Sequence, residues 1–226
     1  MAKKKITRKE LLKETDEFLS FSSKAVNFFT THQVQLQYAG MGIAVIIIAY
    51  AAIYMYLGHV NKKGQEAYNT AYYSLSESIK PGASHEDLLK SGQLFQDVMD
   101  QYGLSKAARL SLPQLAYVKY VDKNYDEAIA LYQEFLDDVS GDQQYESLAR
   151  LALASCYEAK GRIKAAIEAL NPMMVDGENP SKEAAMLSLA RLHRLDNNPE
   201  KAKEILKEFV EEYKDSPFLL MAKAGL

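Results

Sequence analysis

The sequence predicts an all-α protein in which one N-terminal transmembrane helix precedes an α-solenoid of antiparallel helix pairs. Three observations carry this. Residues 38–58 contain no charged side chain, while the rest of the 226-residue chain is densely charged. An alanine-centred pattern recurs at Ala128, Ala166 and Ala202, spaced by 38 and 36 residues. Turn-forming residues precede each alanine, at Asp122-Lys-Asn124, Gly161 and Asn197-Asn198-Pro199.

The apolar stretch comes first in chain order. As a helix its 21 residues would measure about 31 Å, which matches a hydrocarbon core of roughly 30 Å. Tyr38, Tyr54 and Tyr56 lie near its ends, where interfacial aromatics anchor a span, and Tyr50 alone departs from that pattern. The stretch is too long for a signal-peptide core and lacks a small-x-small site after Gly58-His59, so it reads as an uncleaved anchor. Lys3, Lys4, Lys5, Arg8, Lys9, Lys13 and Lys24 precede it, whereas only Lys62 and Lys63 stand in the next 20 residues. The positive-inside bias then places the N-terminus in the cytoplasm and the C-terminal part across the membrane. The expected organisation is a cytoplasmic segment at residues 1–37, a span at 38–58 and a far-side repeat domain at 59–226.

Within the first segment, Leu11, Leu12, Phe18, Phe21, Ala25, Phe28 and Phe29 fall at roughly helical spacing. A partly amphipathic interfacial helix fits, as does a flexible tail. Beyond the span, Ala67, Ala71, Leu75 and Ile79 mark a helix over residues 61–79, stopped by Lys80-Pro81-Gly82. A further helical run begins near His85 and ends at Gly103.

The repeats follow. Tyr125-Asp-Glu-Ala-Ile-Ala-Leu-Tyr132 aligns with Ile163-Lys-Ala-Ala-Ile-Glu-Ala-Leu170 and with Glu200-Lys-Ala-Lys-Glu-Ile-Leu206. Leu115-Ala116, Leu153-Ala154 and Leu189-Ala190 stand upstream of the three alanines. Two antiparallel helices cross closely only where small residues meet, and the alanines supply that seam. Leu131, Tyr132, Phe135, Leu170, Leu206 and Phe209 fill the space between successive pairs, because no pair of this size buries its apolar face alone. Residues 88–102 form a degenerate earlier copy, with Ser91 at the alanine position and Phe95 at the aromatic one. The count is about three repeats, a degenerate first pair and a C-terminal helix capped by Ser216 with Pro217 in its first turn. Cys156, the only cysteine, sits at a core position and excludes an intrachain disulfide.

These residues resemble the tetratricopeptide repeat, whose consensus pairs a Leu-Gly/Ala and an aromatic in the first helix with an alanine and an aromatic in the second. In layout the whole chain is similar to the bacterial YfgM family of envelope proteins. That resemblance implies a repeat domain anchored in the inner membrane, exposed to the periplasm and associated with the Sec translocon and periplasmic chaperones. It further implies a concave groove lined by the first helix of each pair. Counting from Leu115, Leu153 and Leu189 places Tyr117, Tyr120, Ser155, Glu158, Arg191 and Arg194 there. Tyrosine offers contact area, and Arg191 and Arg194 could fork onto a partner carboxylate or peptide carbonyls.

Other chemistries find no support. The four histidines are scattered, and the chain lacks a phosphate loop, a dinucleotide fingerprint, His-Glu-x-x-His and Cys-x-x-Cys. The reading is therefore of a non-enzyme without cofactor or metal. Residues 59–226 hold 20 Lys and Arg against 26 Asp and Glu, which disfavours nucleic acid as a partner. The expected partners are proteins or peptides, with the lipid bilayer contacted through residues 38–58. Gly40-x-x-x-Ala44 also admits helix dimerisation. Rival readings are a scaffold for envelope assembly or division and a non-catalytic subunit of a membrane enzyme complex.

Overall fold

In the computed structural model, which describes residues 23, 24, 26–175, 179 and 181–226, every regular element among the described residues is helical. The proposed amphipathic segment falls largely on residues 1–22 and to that extent lies outside the described residues. The elements are α1 (Gln33–Ser78), α2 (His85–Gln101), α3 (Lys106–Val121), α4 (Tyr125–Asp138), α5 (Gln143–Ala159), α6 (Ile163–Leu170), α7 (Pro172–Val175), α8 (Lys182–Leu195), α9 (Pro199–Glu212) and α10 (Leu219–Ala224).

α1 is a single helix of 46 residues, whereas the sequence pattern suggested two runs. No proline stands between Tyr38 and Lys80, and isolated glycines such as Gly58 cost only about 1 kcal/mol each, so nothing interrupts the backbone ladder. The helix is long and apolar enough to cross a membrane, and none of its most apolar window is buried. The chain divides into two compact units, residues 1–56 and 57–226. The last turns of α1 belong to the second.

Within that second unit, α1 supplies the first helix of the stack. Ala71 and Leu75 are buried with Leu88 and Phe95 of α2 and with Leu115 and Val118 of α3, and the Tyr68 ring meets Phe95 edge-on at 5.7 Å. Two small details fix the crossing. A Cβ at Gly64 would lie 2.6 Å from Ser105 Oγ and 2.9 Å from Ser105 Cβ, so only glycine allows this approach. Asn61 Oδ1 accepts the Lys106 N–H at 2.9 Å while Ser105 Oγ accepts that of Ala108 at 3.0 Å. Two of the four free donors at the start of α3 are thereby satisfied.

The following helices pair as α3 with α4, α5 with α6 and α8 with α9. Ala128, Ala166 and Ala202 are each 0% exposed, and Ala116, Ala154 and Ala190 face them within one continuous core. The turns repeat as faithfully as the seam. Lys123, Gly161 and Asn197 adopt left-handed backbone with φ of 64°, 71° and 58°, and in each case the alanine N–H five residues later bonds the carbonyl of the residue after the turn. Only the middle pair is irregular: Pro172 cannot donate into the ladder, so α6 stops after eight residues and the single turn α7 tucks Met173 into the core.

Polar links act between pairs and within them. Lys160 pairs with Asp126 of the preceding pair, and within the α8–α9 pair the buried Lys182 ammonium donates to both oxygens of Glu212 at 3.0 and 3.1 Å. The C-terminal helix differs from expectation. It starts at Leu219 with Phe218 in the cap position, and Ser216 Oγ instead accepts the Phe218 N–H at 3.1 Å and donates to Glu183 at 2.6 Å. Ser216 therefore stitches the preceding turn to α8, leaving the helix start without a side-chain cap.

Gly64→Val should destabilise the second unit by about 1–3 kcal/mol through overpacking against Ser105, read as a lower Tm of the detergent-solubilised chain. Gly161→Ala should cost about 1–2 kcal/mol from left-handed strain alone, whereas Lys123→Gly should gain about 0.5–1 kcal/mol by relieving it. Denaturant melts of both variants check the opposite signs.

Candidate functional site

The first helices of the pairs carry their outward-facing residues at helical spacing. On α3 these are Leu110, Pro113, Gln114 and Tyr117, and on α5 they are Tyr145, Leu148, Ala152 and Ser155. Between them lies an open cavity of about 400 Å³, closed on its other sides by Tyr68 of α1 and by Tyr132 and Phe135 of α4. No lining residue is charged.

The six residues proposed from sequence separate into two groups. Tyr117 lines the cavity and is 38% exposed. Tyr120 is half-buried beside it, its ring 5.6 Å from that of Tyr125. Ser155 is exposed and donates to the Leu151 carbonyl at 3.0 Å. Towards the other end of the stack, Arg191 grips Glu158 through both guanidinium nitrogens, Nη2 reaching Oε2 at 2.8 Å. That pairing raises the Arg191 pKa. Arg194 donates to the carbonyl of Gly225, just beyond α10. Both arginines line a second cavity of about 370 Å³ with Leu206 and Met221. Their forks are thus already engaged within the chain.

Several cavity residues were missed in the sequence reading. Leu148 and Tyr145 lie about two and three turns ahead of Ser155, so counting back along α5 would have found them. Tyr132 was assigned to packing, and it does pack: the residue is 6% exposed. Its side chain nevertheless also lines the cavity. Burial drives its pKa upward, with Cys156, Tyr117 and Tyr120 adding to the effect. It therefore stays protonated and remains a donor. The Tyr68 hydroxyl meets the Gln114 side chain.

Nothing in this arrangement resembles a catalytic constellation. Among the described residues no group of three or more His, Cys, Asp or Glu side chains could hold a metal ion. Cys156 is buried, and desolvation pushes its thiol up to about 11, far from a reactive thiolate. The Nδ1 of His193 is buried without a partner among the described residues, and burial lowers the pKa of its ring, which favours a neutral packed histidine.

Residues 33–182 match the tetratricopeptide repeat-like domain family, and residues 184–216 match the tetratricopeptide repeat. The chain belongs to the tetratricopeptide repeat-like domain family. No curated protein matches it in sequence. Among solved structures it is similar to a Podosopora anserina kinesin light chain described as having nearly identical TPR-like repeats, at 18% identity and a TM-score of 0.57. The match covers 74% of this chain and 84% of that one. A second structure of the same Podosopora anserina protein gives 17% identity with the same TM-score and coverage. At these identities the likeness establishes the solenoid alone. Tetratricopeptide repeats form protein–protein interaction modules and typically serve as non-catalytic scaffolds.

Replacing both Arg191 and Arg194 by alanine should leave partner capture unchanged in a pulldown with the full chain, because both side chains are engaged within the chain. Arg191 is largely exposed, so its ion pair should contribute under about 1 kcal/mol to stability. Weakened capture would return both arginines to the site.

Proposed function

We propose that the chain is a non-enzymatic, membrane-tethered interaction module of the bacterial inner membrane, with its N-terminus in the cytoplasm and its repeat stack in the periplasm. There it assists the Sec translocon and periplasmic chaperones in receiving translocated polypeptides. The observation that carries the reading is the pairing, in one chain, of a charge-free 21-residue stretch exposed on every side with a tetratricopeptide stack whose open cavity carries no charge. Twenty-one apolar residues left unburied require a bilayer as solvent. An uncharged, aromatic-walled cavity suits polypeptide that has not yet buried its own apolar side chains.

Tethering strengthens the argument. When client and groove share one membrane surface, the effective concentration rises and weak contacts suffice. The excess of basic residues before the span supports the orientation, and the acidic balance of residues 59–226 speaks against nucleic acid.

Two measurements test this. A reporter active only outside the cytoplasm, fused after Leu226, should be active; activity of a cytoplasm-only reporter there would overturn the orientation. A photocrosslinker at Tyr117 in intact membranes should capture translocon subunits and secretory chaperones. Capture of cell-wall synthases or outer-membrane assembly factors in their place would move the function to envelope scaffolding.

A further inference from the structure

The turn between α2 and α3 has features that the packing of the stack does not explain. Tyr102-Gly103-Leu104-Ser105 closes with the Ser105 N–H bonding the Tyr102 carbonyl at 2.7 Å, so Gly103 and Leu104 form its tip. Leu104 is 70% exposed there. Turn tips favour Gly, Asn, Asp or Ser, and a leucine in that place buries little of its surface against the chain. Lys106 follows at the start of α3 and is exposed as well.

The same turn is fastened to the part of α1 that directly follows the charge-free stretch. Asn61 Oδ1 accepts the Lys106 N–H at 2.9 Å, and a Cβ at Gly64 would lie 3.1 Å from Tyr102 Cβ as well as 2.6 Å from Ser105 Oγ. Asn61 and Gly64 stand three and six residues beyond Gly58, which is about 5 and 9 Å along a helix axis. The polar layer on each side of a bilayer's hydrocarbon is roughly 5–8 Å deep. The second unit itself begins at Leu57, inside the charge-free stretch, and Leu57 is already only 36% exposed. The turn therefore falls at headgroup depth wherever residues 38–58 span a bilayer. Lys62 and Lys63 share that level, Lys62 exposed and Lys63 pairing with Glu66 at 2.9 Å.

We infer that the α2–α3 turn is a second membrane contact, in which Leu104 enters the boundary between headgroups and acyl chains while Lys62 and Lys106 meet lipid phosphates. The partner is the phospholipid surface of the bilayer that α1 crosses. The inference rests on the reading of residues 38–58 as a span. An exposed leucine and two exposed ammonium groups at one level suit this layer, where apolar surface is buried a few ångströms from anionic groups. Burial of the exposed Leu104 surface favours the docked state by about tenfold. Two contacts restrain the stack from swivelling over the membrane, which one helix alone does not.

The test exploits a chain without tryptophan. Full-length single-tryptophan variants are placed one per nanodisc of phosphatidylcholine and phosphatidylglycerol, with or without brominated acyl chains that quench a nearby indole. Gln101→Trp, at the exposed end of α2, should lose about half its emission, whereas Glu86→Trp, about 22 Å further along α2, should lose under about a tenth. Adding Leu104→Asp to Gln101→Trp should abolish the quenching, adding Lys62→Gln together with Lys106→Gln should reduce it, and adding Leu104→Phe should preserve it. None of these exposed-site changes should move Tm in detergent. The turn contact is overturned if Gln101→Trp is quenched no more than Glu86→Trp, if Leu104→Asp or the double lysine variant leaves the quenching unchanged, or if Leu104→Asp lowers Tm. A dimer in detergent that Leu104→Asp splits into monomers would also overturn it, assigning the turn to a second copy of the chain. Ile47→Trp separates the two readings. Strong quenching there with none at Gln101→Trp removes the turn contact alone, whereas no quenching at Ile47→Trp removes the span and the inference with it.

Discussion

Close helix approach at small residues is the constraint on which the rest of this structure depends. Ala128, Ala166 and Ala202 bring the two helices of each pair together, and Ala116, Ala154 and Ala190 complete the seam from the opposite side. A pair held this way still has one face with nothing to cover it, so pairs must stack. Stacking in turn aligns the first helices side by side and forms the groove. The same rule operates at the start of the stack, where Gly64 replaces alanine because Ser105 lies closer than any Cβ permits.

Left-handed turn residues at Lys123, Gly161 and Asn197 extend the repetition from side chains to backbone. They show three sequence solutions to one conformational demand. Glycine adopts it without strain, asparagine tolerates it through its short polar side chain, and lysine holds it against strain. The Lys160–Asp126 ion pair links neighbouring pairs and Lys182–Glu212 the two helices of one, while the apolar core supplies most of the burial.

The fold was legible in the sequence because its determinants are local and periodic. Alanine spacing, the turn residues and the breaker at Pro81 each announce their own position without reference to distant parts of the chain. Less legible were features that depend on what two distant segments do to each other. That α1 continues unbroken into the stack follows from the absence of a breaker, a weaker signal than the presence of one. Ser216 looked like a helix cap because serine before proline commonly is one, but Glu183 of α8 competes for its hydroxyl. The groove shows the same division. Periodicity placed Tyr117 and Tyr120 on α3, whereas the commitment of Arg191 to Glu158 emerges only when α5 and α8 are assembled.

The participation of α1 in the stack has a consequence for how the chain tolerates proteolysis. Ala71 and Leu75 cover Leu88, Phe95 and Val118, so a protease cutting between these residues and α2 would not liberate an intact solenoid. It would unroof the first pair and leave an apolar end open to solvent, inviting aggregation or degradation. Any cut that spares the stack must therefore fall ahead of Asn61, whose side chain bonds the start of α3. The last turns of α1 are the end-cap of the stack, and the chain cannot lose them without losing the fold.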